Sequence, residues 1–125
     1  MDKKKLLIVE DEPVLNKALQ DFMTAEGFEV VTAIDGEEGI RKAQSEMPDL
    51  ILLDIILPKK DGYEVIREIK ADEKTKNIPI ILLTNLGSIN DVEKALELGA
   101  TTYLVKADYK LEEVTQKIKS VLGMA

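Results

Sequence analysis

At 125 residues, 45% hydrophobic and 33% charged, the sequence has the size and balance of one globular domain with a full hydrophobic core, expected to occupy residues 1–125. It contains neither cysteine nor histidine. That excludes a disulfide framework, thiolate or imidazole metal ligation, a cysteine nucleophile, a Ser-His-Asp triad and a phosphohistidine on this chain. Its net charge of −7 repels a phosphate backbone, so no direct nucleic-acid binding is expected.

Lys3-Lys4-Lys5 leads into Leu6-Leu7-Ile8-Val9, an apolar run that Glu10 ends too soon for a signal peptide. No run approaches a membrane span, so a cytoplasmic location without membrane contact is expected. Lys5 to Val9 reads as a short buried strand. Pro13 suits the first turn of a helix carrying Val14, Leu15, Ala18, Leu19, Phe22 and Met23 on its apolar face, stopped by Gly27. Phe28 to Ala33, rich in β-branched residues, is a second strand. Asp35-Gly36 is a turn, and Glu37 to Glu46 a helix with Ile40, Ala43 and Met47 as its weak apolar face. Leu50-Ile51-Leu52-Leu53 is apolar throughout, the mark of a strand buried on both faces in the middle of a parallel sheet, and it ends on Asp54.

After a loop from Pro58 to Gly62, Tyr63 to Ala71 carries Val65, Ile66 and Ile69 at helical spacing. Pro79 to Thr84 is another wholly apolar strand. Ser88 or Asn90 can cap the next helix, whose apolar residues are Val92, Ala95, Leu96 and Leu98 and which Gly99 ends. Thr102 to Val105 is the last strand, reaching Lys106, and Leu111, Val114, Ile118, Val121 and Leu122 form the stripe of a final helix. Strands alternating with helices give a doubly wound α/β fold: five parallel strands with helices on both faces. The second strand ends at Ala33 with nothing charged and fits at an edge, giving the order 2-1-3-4-5 with a crevice between strands one and three.

In a parallel sheet all C-terminal strand ends lie on one edge. The first contributes Glu10 and Asp11, the third Asp54, the fourth Thr84 and the fifth Lys106. Each alone reads as an ordinary turn or surface group; the signal is their arrival together at matching strand ends. Clustered carboxylates repel, and the usual relief is a hard cation; Mg²⁺ suits all-oxygen ligands and keeps open positions for phosphate oxygens. Asp54 can then act as a nucleophile toward phosphorus. Thr84 can donate a hydrogen bond to a phosphoryl oxygen, and Lys106 can place a positive charge on another.

These residues carry a resemblance. Along its whole length the chain resembles a response-regulator receiver domain of two-component signalling, of the chemotaxis-regulator kind. The resemblance rests on Ile8-Val9-Glu10-Asp11-Glu12, Leu53-Asp54 with Pro58 and Asp61-Gly62 downstream, Leu83-Thr84, and Gly99 to Lys106. It implies that Asp54 accepts a phosphoryl group from a sensor histidine kinase or phosphotransfer protein, changing the binding of a downstream effector. It also implies Mg²⁺ held by Asp11, Asp54 and the Ile56 carbonyl, with Glu10 nearby or acting through water. Thr84 and Tyr103 match the family's conformational switch. Ile56 and Leu86 match positions near the in-line path of hydrolytic water, and neither can orient a water, which implies a slowly lost phosphoryl group. Two positions depart from the pattern: Ala107 stands where the family usually has a cis proline, and Asn85 where it has a small residue. Either the Lys106-Ala107 bond is trans and Lys106 is placed by other means, or the site holds strain of about 3 kcal/mol.

Three other readings compete. A phosphatase using an aspartyl nucleophile and Mg²⁺ needs a second acid two residues after the first, where this chain has Ile56. A flavodoxin-like electron carrier shares the architecture, but Glu10-Asp11-Glu12 would repel a flavin phosphate. A receiver-like scaffold that is never phosphorylated leaves the filled chemical positions without a use.

Overall fold

The computed structural model describes residues 3–55, 57–84, 89–105 and 110–124. Five βα units follow one another: β1 (Lys5–Val9), α1 (Pro13–Ala25), β2 (Glu29–Ala33), α2 (Gly36–Glu46), β3 (Leu50–Asp54), α3 (Gly62–Ala71), β4 (Ile80–Thr84), α4 (Ile89–Leu98), β5 (Thr102–Val105) and α5 (Leu111–Val121). All pairings are parallel and the order is β2-β1-β3-β4-β5, as the sequence pattern implies.

Alternation along each strand divides the core into two layers. Leu7, Val9, Ile51, Leu53 and Leu82 pack with Ile40 and Ala43 of α2, Val65, Ile66 and Ile69 of α3, and Ala95 of α4. Leu6, Ile8, Leu50, Leu52, Ile81 and Leu83 pack with Leu19 and Met23 of α1 and Val114 and Ile118 of α5. β3 and β4 are buried at every position, which is why they carry no polar alternation.

Three apolar residues expected on core faces lie outside them. Val14 is 84% exposed, because this turn of α1 buries Asn16 instead, whose amide bonds the Glu10 and Ala33 carbonyls. Met47 adopts the left-handed conformation that ends α2 (φ 46°) and points to solvent. Leu96 of α4 is exposed as well. The buried face of α2 is instead Gly36, Gly39, Ile40 and Ala43. That helix also begins earlier than expected: Asp35 caps it, its Oδ1 accepting a hydrogen bond from the Glu38 N–H at 2.8 Å. Glu38 answers by accepting the Ile34 N–H at 3.0 Å. Ser88, and the side chain of Asn90, lie outside the described residues.

Candidate functional site

The register determines what meets at the C-terminal edge. Val9 pairs with Leu53, so Glu10 follows β1 where Asp54 closes β3. Asp54 pairs with Leu83, and Thr84 with Val105. Acids and hydroxyl therefore end three neighbouring strands of the sheet centre. Carboxylate oxygens of Glu10, Asp11 and Asp54 all lie within 4.8 Å of one another. Glu10 is fully buried and Asp54 nearly so, while Asp11 is exposed at the mouth. At 4.8 Å two like charges repel by roughly 3 kcal/mol in an effective dielectric of about 20. An all-oxygen set of this kind, part buried and part open, fits a hard divalent cation by donor type and reach.

The acid pair is held by its surroundings. The Glu10 N–H donates to the Ala33 carbonyl at 3.0 Å, and Glu10 Oε2 accepts the Glu12 N–H at 3.1 Å. Asn16 Nδ2 donates to the Glu10 carbonyl at 2.9 Å and the Ala33 carbonyl at 3.3 Å. The apolar period of α1 points to Val14 as the core residue of this turn; the sequence carries no signal for Asn16 except that an amide in a helix is costly unless it has partners.

The chain after Asp54 is clasped on two sides. Gly62 N–H donates to the Ile55 carbonyl at 2.6 Å, and Gly36 N–H to the Pro58 carbonyl at 3.3 Å. Asp61 caps α3 through the Glu64 N–H at 3.0 Å, and Lys59 lies 3.7 Å from Asp35. Both glycines are required by close approach: a Cβ on Gly36 would collide with the Lys60 carbonyl, and one on Gly62 with the backbone of Ile55. Thr84 is buried, whereas Tyr103 is 40% exposed. The pairs Leu82–Tyr103 and Thr84–Val105 put Thr84 and Tyr103 on the same face of the sheet. Ile56, Asn85, Leu86, Lys106 and Ala107 lie outside the described residues.

The family model of the response regulator receiver domain matches residues 6–119. The chain belongs to the response-regulator receiver domain family. Among curated relatives, this receiver domain is 45% identical over 120 residues to the "Probable transcriptional regulator ycf27" of Guillardia theta, covering 96% of this chain and 46% of that protein. It thus spans about half the length of the curated relatives it matches. Among solved structures it is similar to the receiver domain of a Pseudomonas aeruginosa sensor histidine kinase, which holds a magnesium ion in its active-site cleft. The TM-score is 0.89 at 34% identity, covering 98% of this chain and 99% of that one. The chemotaxis protein CheY4 of Vibrio cholerae gives a TM-score of 0.90 at 29% identity, covering 96% and 99%. Family, fold and acidic cluster agree with the resemblance read from the sequence. Among the described residues no helix is long and apolar enough to cross a membrane.

Proposed function

We propose that this receiver domain, one unit over residues 1–125, accepts a phosphoryl group on Asp54. A carboxylate oxygen of Asp54 attacks the phosphorus of a phosphohistidine on a sensor histidine kinase or phosphotransfer protein. The new O–P bond forms as the P–N bond breaks, and the imidazole leaves with the electron pair. The observation that carries this reading is the convergence of Glu10, Asp11 and Asp54 within 4.8 Å at the centre of the strand-end edge. Asp11, Asp54 and the Ile56 carbonyl would hold Mg²⁺, with Glu10 beside it or acting through water. The bound ion would neutralise charge on the phosphoryl oxygens. Thr84 donates a hydrogen bond to one of those oxygens, and Lys106 offsets charge on another. The domain thereby promotes its own phosphorylation and dephosphorylation and turns over no other substrate.

The phosphoryl group then biases a two-state packing arrangement. Thr84 moves toward it, and Tyr103, on the same sheet face, turns into the vacated space. A downstream effector protein or domain reads the change; the proposed setting is the cytoplasm, without direct contact to nucleic acid or membrane. The test is intact mass after incubation with acetyl phosphate, with and without Mg²⁺. One phosphoryl group should be gained only with the ion, and Asp11→Ala should weaken Mg²⁺ binding and phosphorylation together. A parent chain that gains no phosphate would make the domain a binding scaffold. Unchanged Mg²⁺ affinity in Asp11→Ala would remove that residue from the metal site.

A further inference from the structure

We infer that Asn16 is a positioning residue for the acid pair, setting the Glu10–Asp11 peptide from which the metal-facing carboxylates project. The inference rests on the metal-binding reading above. Asn16 lies in α1 on a buried surface, 8% exposed, and its side-chain nitrogen reaches two main-chain carbonyls, those of Glu10 at 2.9 Å and Ala33 at 3.3 Å. Carbonyls only accept, so the amide must present its nitrogen to both, and its two hydrogens match the two acceptors.

The bonds close a circuit. Asn16 N–H donates to the Glu12 carbonyl at 2.9 Å. Glu12 N–H donates to Glu10 Oε2 at 3.1 Å. Asn16 Nδ2 returns to the Glu10 carbonyl. Asp11 sits inside this loop of residues 10, 12 and 16. Because its side chain is exposed, packing does not place it; the orientation of the 10–11 peptide does. The second bond, to Ala33, ties that peptide to the end of β2, whose carbonyl also receives the Glu10 N–H. Asparagine is a poor helix former, and leucine or alanine would suit this helix turn better if burial alone mattered. Partners that orient metal ligands typically change metal affinity by about ten- to a hundredfold when removed.

The experiment uses the full chain and Mg²⁺ alone. Amide resonances report Mg²⁺ affinity on the folded protein, and urea midpoints report stability, for the parent, Asn16→Ala and Thr115→Val. Thr115 is a matched control: buried, on α5, its hydroxyl donating to the Leu111 carbonyl at 3.2 Å. Asn16→Ala should bind Mg²⁺ about tenfold more weakly, whereas Thr115→Val should lower the midpoint and keep parental affinity. Parental affinity in Asn16→Ala, with only the midpoint lowered, would overturn the inference. A parent that does not bind Mg²⁺ would instead refute the metal-binding reading itself. Should Asn16→Ala fail to fold, the Asn16 side-chain amide signals of the parent decide. They should be protected from exchange and shift on Mg²⁺ addition, and signals that are unprotected and unmoved would overturn the inference.

Discussion

Gly62→Ala tests whether the helix after the β3 loop sets the position of Asp54. A methyl group built on Gly62 would lie 2.6 Å from Ile55 Cα, 2.9 Å from the Asp54 carbonyl oxygen and 3.0 Å from the Ile55 carbonyl oxygen. Carbon atoms rest about 3.5–4.0 Å apart, so the contact falls short by about 1 Å, and every atom it meets is backbone. Either the first turn of α3 retreats, losing the 2.6 Å bond from Gly62 N–H to the Ile55 carbonyl, or the end of β3 moves. Overpacking of this kind costs about 1–3 kcal/mol. Alanine in place of glycine returns at most about 1 kcal/mol of helix propensity, and less at a helix terminus. Net destabilisation of about 1–2 kcal/mol is expected. A 1 Å misplacement of reacting groups costs about a hundredfold in rate; with the shift shared between helix and strand, phosphorylation should slow by about tenfold. The assay is phosphorylation by acetyl phosphate with Mg²⁺, alongside urea unfolding. Gly27→Ala is the control: at φ +99° it strains the backbone with nothing within 4 Å, so it should destabilise and leave the rate unchanged. A Gly62→Ala protein that loses stability but phosphorylates at the parental rate would refute the claim that this contact positions Asp54.

Lys70 gives a pH dependence. Its ammonium donates to the Lys76 and Ile78 carbonyls, each at 2.9 Å, and burial pushes it below its ordinary value of 10.5. The unfolded chain therefore holds more protons between the folded value and 10.5, and stability rises with pH there. The urea midpoint of the parent should rise relative to Lys70→Met as pH approaches 10.5; a flat or falling difference would contradict this. At Tyr103, a phosphoryl mimic with Mg²⁺ should move the ring signals toward a buried environment, and unaltered signals at saturation would break the coupling to Thr84. Ile56→Asn with Leu86→Lys should speed phosphate loss about tenfold, equal to about 1.4 kcal/mol of barrier; loss from the parent as fast as from the double variant would show that these side chains do not limit it.

The parts of the molecule most legible in the sequence are those where one physical demand dominates. Leu50 to Leu53 and Ile80 to Leu83 read as strands covered on both faces, which puts Asp54 and Thr84 at the central edge of the sheet. Legibility failed where geometry outranked polarity. Val14 follows the apolar period of α1 but is exposed, while Asn16, polar by composition, is buried with its amide donating to two main-chain carbonyls. Asp35-Gly36 reads as a turn because the cap and the first helical turn share the same residue types. The close approaches at Gly36 and Gly62 depend on where a distant backbone lies, which no local pattern records.

Asp54 itself is proposed to carry the phosphoryl group. Acyl phosphates are reduced by borohydride, which converts a phosphorylated aspartate into homoserine and leaves free aspartates intact. After acetyl phosphate and Mg²⁺, reduction and peptide mapping should place homoserine at position 54 and nowhere else, and Asp54→Asn should give none. Homoserine at position 11, or an undiminished yield elsewhere in the Asp54→Asn protein, would contradict the account.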